Sequence, residues 1–248
     1  MKEMWGQHFL NDLSIIEKEV EIAEISKKDR VLEIGAGNGI LTEEIAKRAG
    51  EVVSFEIDLE LKKSLESLVE KYDNLTVFFK DVTKENWKGY TKIVSNIPYH
   101  LSEHILFKSA ESSIPLLVLI IGEKMKEALE GKSKMGFIVN LFYEIKPIEK
   151  VTSQKFFPKP RTNSWLVKLQ WKDASPREKF IRSIFLREGK LKNSLIKSFL
   201  DIGVTKRKAK EMVKKLSLNE QVLNKPAKKG TYKLLKKIDQ GILKLEIF

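Results

Sequence analysis

Arg30-Val31-Leu32-Glu33-Ile34-Gly35-Ala36-Gly37-Asn38-Gly39 is a short apolar run that breaks into three glycines at alternate positions. The run reads as a buried strand, and a helical pattern follows through Leu41, Ile45 and Ala49. The same alternation continues downstream. Val52-Val53-Ser54-Phe55-Glu56, Thr76-Val77-Phe78-Phe79, Lys92-Ile93-Val94-Ser95 and Leu116 to Ile121 read as further strands, with helices over about 59–71, from about Ser102 to Ala110 and from about Glu123 to Glu130. Upstream, Ile15, Ile16, Val20, Ile22 and Ile25 give an apolar side to a helix starting near Ser14, where Ser14 and Glu17 fit a capping box. Two later strands, about 137–146 and 165–171, have no clear helix between them and predict an antiparallel pair closing one edge. The expected fold is α/β: a Rossmann-like, seven-stranded, mostly parallel sheet covered on both faces.

After Trp171 the character changes. Asp173-Ala174-Ser175-Pro176 reads as a linker, and lysine-rich helices follow over about 176–187, 190–201, 205–216 and 231–239. Residues 1–170 carry 25 Lys and Arg against 26 Asp and Glu, whereas 171–248 carry 21 against 8. The excess of positive charge therefore lies in the C-terminal third, which favours a polyanion partner over a merely solvated face. The expected domains are 1–172, and a small basic all-α domain over 173–248. Absence of cysteine excludes a disulfide framework and thiolate metal sites. No run approaches the ~18 apolar residues of a membrane span, and Met1-Lys2-Glu3-Met4-Trp5 opens no signal-peptide segment, so a cytoplasmic location is expected.

Glycines between a strand and a helix let backbone approach a ligand closely. The spacing G-x-G-x-G lacks the end of the dinucleotide fingerprint. Glu56 ends the second strand, 21 residues after Gly35, where a carboxylate can accept hydrogen bonds from ribose hydroxyls; Asp81 ends the third, within reach of a nucleobase edge. Either acid alone reads as a cap or a solvated turn. Together, behind the glycine loop, they point to an adenosine-containing cofactor, and the short loop suits S-adenosylmethionine better than NAD.

Asn96-Ile97-Pro98-Tyr99 follows the fourth strand. An exocyclic amine is hard to methylate because its lone pair is delocalised into the ring. An amide oxygen and a backbone carbonyl can hold such an amine pyramidal, with the lone pair facing the methyl group. Proline stiffens the turn, and tyrosine offers a stacking face to a base taken out of its helix. His100-Leu101-Ser102-Glu103-His104 matches the zinc pattern H-x-x-E-H, but it begins on this turn rather than within a helix, and no metal is expected.

These segments make the sequence resemble the rRNA adenine dimethyltransferases, which include the small-subunit rRNA dimethyladenosine transferases and the Erm-type methylases. The resemblance rests on Gly6-Gln7-His8-Phe9-Leu10, Val31 to Thr42, Glu56-Ile57-Asp58, Asp81 and Ser95 to Tyr99. It extends to Phe156-Phe157-Pro158-Lys159-Pro160, followed by Asn163-Ser164. The resemblance implies that Gln7, His8 and Leu10 flank S-adenosylmethionine, and that Gly35, Ala36, Gly37 and Gly39 meet its methionine end. Glu56 and Asp81 would take its ribose and adenine, with Ile57 and Val82 beside them. Asn96, bordering the cofactor, and the Pro98 carbonyl would hold the target amine, while Tyr99 and Phe156 sandwich the target adenine.

The implied activity is dimethylation of two adjacent adenines near the 3′ end of small-subunit (16S) rRNA in ribosome biogenesis. A monomer is expected to act on the small subunit or its precursor, with the basic helices contacting phosphates. The rivals are an Erm-like methylase of large-subunit rRNA and a non-catalytic ribosome-assembly factor. A DNA adenine methylase is disfavoured by Ile97 and the order of motifs. The chain departs from the family pattern at His8 (usually Asn), Ala36 (usually Pro) and His100 (Asn expected). The usual glutamine ahead of the helix after the fifth strand is absent, with Gly122 near that place. The segment Leu186 to Leu195 keeps only part of the family's Arg-Lys-rich helix start.

Overall fold

In the computed structural model, which describes residues 8–245 and 247, the apolar runs form strands and helices in close alternation. The first part contains β1 (Phe9–Leu10), α1 (Leu13–Ile22), β2 (Arg30–Ile34), α2 (Ile40–Ala46), β3 (Glu51–Glu56), α3 (Lys62–Lys71) and β4 (Leu75–Phe79). Then come β5 (Lys92–Asn96), α4 (Ser102–Glu111), β6 (Leu116–Gly122), α5 (Glu123–Glu130), α6 (Lys134–Phe142), β7 (Tyr143–Val151), β8 (Phe156–Phe157) and β9 (Ser164–Trp171). The last helices are α7 (Pro176–Leu186), α8 (Leu191–Asp201), α9 (Lys206–Lys215), α10 (Glu220–Leu223) and α11 (Tyr232–Leu243). Gln7 lies outside the described residues.

Seven strands form one sheet in the order β4-β3-β2-β5-β6-β9-β7. Strands β2 to β6 are parallel, and β9 runs antiparallel to both β6 and β7. This is the expected Rossmann-like sheet. Strand β6, Leu-Leu-Val-Leu-Ile-Ile-Gly, is buried along its whole length, as a central strand covered on both faces must be. The strand order reverses between β2 and β5, which opens a crevice at their C-terminal ends. Gly35 follows the one and Asn96 ends the other, so motifs 61 residues apart meet.

Two local expectations are corrected, and one pairing is new. The apolar stretch from residue 137 starts as a helix: Met135, Ile138, Val139 and Phe142 recur at helical spacing and are buried. The strand begins only at Tyr143, and it does pair antiparallel with β9 at the sheet edge. Asp12 rather than Ser14 caps α1, accepting the Ile15 N–H at 3.3 Å. Its carboxyl is held down to about 2 by Lys155 and the Ser14 hydroxyl. Finally, Phe9–Leu10 and Phe156–Phe157 pair as a two-stranded ladder, Phe9 opposite Phe157 and Leu10 opposite Phe156. The Asn11 N–H donates to the Lys155 carbonyl at 3.0 Å, and Lys155 also pairs with Asp12 at 2.9 Å.

Internal contacts divide the chain into two units: residues up to Glu127 with Tyr143–Trp171, and Ala128–Phe142 with Lys172–Phe248. In the second unit α7 starts with Pro176 behind a Ser175–Glu178 capping box. Buried Arg182 is anchored by donating to the Leu141 carbonyl at 2.6 Å and the Lys172 carbonyl at 2.9 Å.

One core feature breaks the apolar pattern. Glu19 lies on the buried face of α1 beside Ile15, Ile16 and Val20, and neither of its carboxylate oxygens has a hydrogen-bond partner. Glu33, equally buried in β2, accepts the Thr42 hydroxyl at 2.7 Å and the Ser54 hydroxyl at 2.5 Å through Oε2, with Oε1 unpartnered. Burial pushes the Glu33 carboxyl up to about 8, and burial together with the Glu33 charge pushes Glu19 well above its ordinary value. Between pH ~4.5 and ~8 the folded state holds protons that the unfolded chain releases, so this contribution to stability is full at the acid end and lost as pH rises. We expect urea unfolding midpoints to fall between pH 5 and 8, and Glu19→Gln to lessen that fall measurably.

Candidate functional site

At the carboxyl ends of β2 and β5 lies a cavity of ≈ 330 Å³, within the size range of small-molecule sites. Of the residues predicted from sequence, His8, Leu10, Gly35, Ala36, Gly37, Glu56, Ile57, Asp81, Val82, Asn96, Pro98, Tyr99 and Phe156 all line it. Gly39 does not. It caps α2 in the left-handed region (φ +83°), and a Cβ there would come within 2.5 Å of Leu68 Cδ1. Gly39 therefore serves the turn and its packing.

The glycine loop is tied down from β3. Gly35 and Ala36 donate their N–H groups to the Phe55 carbonyl at 2.7 and 3.1 Å. Glu56 Oε2 accepts the Gly37 N–H at 2.8 Å, and Oε1 accepts those of Ile57 at 2.7 Å and Asp58 at 2.9 Å. The carboxylate thus organises its own loop and keeps acceptor capacity on Oε2. Gly35 (φ +81°) and Gly37 (φ +58°) both occupy the left-handed region. Asp81 caps the turn after β4, its Oδ1 accepting both the amide (2.9 Å) and the hydroxyl (2.7 Å) of Thr83. Those bonds hold its carboxyl below the ordinary value.

Asn96 carries the most informative atom. Its Oδ1 is buried and has no hydrogen-bond partner. An orphaned amide oxygen costs about 1–3 kcal/mol, and the residue that carries it lines the cavity. The Pro98 carbonyl already accepts the Leu101 N–H at 2.9 Å, leaving one lone pair. Tyr99 is half-buried, its hydroxyl shares a hydrogen bond with Ser164 Oγ at 2.6 Å, and burial raises its pKa so that it stays a neutral phenol. Phe156 is buried against the cavity, whereas Phe157 points outward, 63% exposed.

Sequence reasoning missed several contacts and some lining residues. His8 Nδ1 is 2.7 Å from the Pro158 carbonyl, and its ring centroid is 6.1 Å from that of Tyr99. Its place as a departure from the family pattern was visible, but its anchor was not. Glu33, Lys80 and His100 also border the cavity. Gly122 lies beneath the Tyr99 ring: a Cβ there would stand 3.3 Å from Tyr99 Cγ, so a longer side chain at this position would press on the ring. Asn38 lines the cavity as well, whereas Asp58 caps the turn after β3, accepting the Glu60 N–H at 2.9 Å.

A reversed strand order, a glycine turn braced by a strand-end carboxylate and an acceptor-bearing tip on the adjacent strand define a class I, Rossmann-like methyltransferase. The sequence profile of the ribosomal RNA adenine dimethylase family matches residues 1–240, and the chain belongs to that family. It is an rRNA adenine dimethyltransferase that uses S-adenosylmethionine. "Probable ribosomal RNA small subunit methyltransferase A" of Methanococcus maripaludis strain C7 is 32% identical over 92% of this chain and 94% of its own length. Among solved structures, the 23S rRNA methyltransferase ErmE is 21% identical with a TM-score of 0.64, covering 94% of this chain and 99% of its own. A dimethyladenosine transferase from Plasmodium falciparum gives 22% and 0.64, covering 93% and 96%. Both share the fold.

If Glu56 holds the loop as described, Glu56→Ala releases three amides. Exchange protection of the Gly37, Ile57 and Asp58 N–H groups should fall at least about tenfold in hydrogen-exchange NMR, with strand amides of β2 and β6 unaffected.

Proposed function

We propose that this chain methylates the N6 amines of two adjacent adenines near the 3′ end of small-subunit rRNA, acting in the cytoplasm as a monomer on the subunit or its precursor during ribosome biogenesis. The choice of the small subunit rests on the name of the Methanococcus relative, since ErmE and the Plasmodium enzyme match the fold equally well. The observation that carries the chemistry is the buried, unpartnered Oδ1 of Asn96.

The cavity suits S-adenosylmethionine: glycines permit backbone contact, Glu56 Oε2 retains a lone pair for a ribose hydroxyl, and Asp81, which also lines it, is a carboxylate that can accept from the adenine amine. When bound, that cofactor supplies a methyl group on an electrophilic sulfonium, a donor already activated without a metal. Asn96 Oδ1 and the Pro98 carbonyl accept the N–H bonds of the target amine, which localises its lone pair toward the methyl. After one transfer the methylated nitrogen is cationic and gives up a proton to solvent, which leaves a single N–H. Asn96 alone can hold that for the second. Tyr99 and Phe156 stack on the two faces of the adenine, a base that must leave its helix to be reached. Lysine-rich helices after Trp171 supply phosphate contacts that position the RNA.

Asn96→Ala should lower methylation of 30S subunits by at least about a hundredfold while calorimetry shows cofactor affinity changed only a few-fold. Near wild-type turnover would contradict the role of Asn96. Mass-spectrometric mapping with separated 30S and 50S substrates reads the target directly, and methyl groups on 50S adenines would overturn the small-subunit assignment.

A further inference from the structure

We propose that Gly122 and the Asn163-Ser164 step are positioning residues that fix both aromatic walls of the target-base site. The inference rests on the reading of Tyr99 and Phe156 as those walls. Gly122 ends β6, Ser164 begins β9, and the two are direct partners in the antiparallel ladder. Tyr99 lies across that pair. A Cβ built on Gly122 would approach Tyr99 Cγ, Cδ1 and Cδ2 at 3.3, 3.4 and 3.5 Å. Near-equal approach to three ring carbons puts the glycine beneath the face of the ring, leaving the opposite face for a base. At the far end of the ring, the Tyr99 hydroxyl is bonded to fully buried Ser164 Oγ at 2.6 Å.

The neighbouring residue acts on the second wall. Asn163 Oδ1 accepts the Ser153 N–H at 3.0 Å, at the start of the Ser153–Lys155 turn that leads directly into Phe156. The Asn163 carbonyl accepts the Glu123 N–H at 3.1 Å, which ties this step to the end of β6. Two adjacent residues therefore hold the two aromatics through separate hydrogen bonds. A base enters between two rings only when their planes stand about two van der Waals contacts apart, roughly 7 Å, so small displacements of either ring matter. None of the three residues needs to touch the RNA.

The test uses the full chain and a small-subunit RNA substrate, unmodified for turnover and carrying 2-aminopurine at the target position for stacking. Tyr99→Phe and Ser164→Ala remove the same hydrogen bond, so each should lower kcat by about tenfold, an effect of sub-ångström misplacement. The double variant should lose no more than either single, and all three should show the same altered 2-aminopurine fluorescence with cofactor affinity unchanged. Asn163→Ala should alter the fluorescence independently. Additive losses of about a hundredfold in the double variant, or Ser164→Ala with wild-type kcat and fluorescence, would overturn the proposal. Tyr99→Phe tests the bond without touching β9, so a folding defect in Ser164→Ala leaves the outcome decided. Tyr99→Ala separates the two readings: if turnover survives it, the assignment of Tyr99 as a base platform has failed; if turnover is lost while Ser164→Ala and Tyr99→Phe are silent, only the positioning role has.

Discussion

Two neighbouring parallel strands whose connections leave toward opposite edges of a sheet cannot cover the space between their ends. Strands β2 and β5 stand in that relation, because β3 and β4 extend the sheet on one side and β6, β9 and β7 on the other. Everything chemical in this chain hangs on that gap. It places Gly35 next to Asn96, and it leaves both turns free of overlying helix so that a ligand can reach backbone. The loop that results cannot hold its shape through side chains of its own, since it is largely glycine. It is held instead by the carbonyl of Phe55 and the carboxylate of Glu56, both from β3. The glycine wall of the cavity is therefore braced from one strand away.

The site tolerates a cost that most of the buried polar groups avoid. Asn96 Oδ1 is buried without a donor, and Glu33 Oε1 and both Glu19 oxygens are in the same condition. For Asn96 the function proposed above uses the unmet bond: an acceptor satisfied by the protein would have nothing to offer an amine. Glu19 is different in kind. It sits on the core face of a helix rather than on the cavity wall, and its raised pKa means that it is buried as the neutral acid, which is far less costly than burying a charge.

The parallel sheet was legible because its strands are continuous apolar runs bounded by glycine or by acids, and the alternation with helices leaves few topologies. The cavity residues were legible for a related reason: strand ends in such a sheet are predictable positions, so Glu56, Asp81 and Asn96 could be placed by counting. What was not legible depends on contacts between distant segments. The ladder between Phe9–Leu10 and Phe156–Phe157 is two residues long, too short to show a period of two, and its halves are far apart in sequence. The helix α6 was read as strand because Phe137 to Phe142 is nearly uniform in hydrophobicity; only by including Met135 does the helical spacing emerge. Gly122 looked like a missing side chain, and its use becomes visible only with the Tyr99 ring resting on it.

The distribution of charge follows from the two ligands. The cavity is bordered by the carboxylates of Glu56 and Asp81 against Lys80, while Glu33 is held largely as the neutral acid by burial. RNA is a polyanion that such a wall repels. Within a Debye length of ~10 Å a surface cannot serve both ligands by charge alone, so attraction for RNA has to come from residues elsewhere in the chain. The sequence separates the signs accordingly: residues 1–170 are nearly balanced, and the excess of lysine and arginine falls after Trp171. On the function proposed above, non-specific affinity for phosphate and the chemistry at Asn96 fall to different segments of the chain, so contacts that position the RNA need not be the ones that select the adenine.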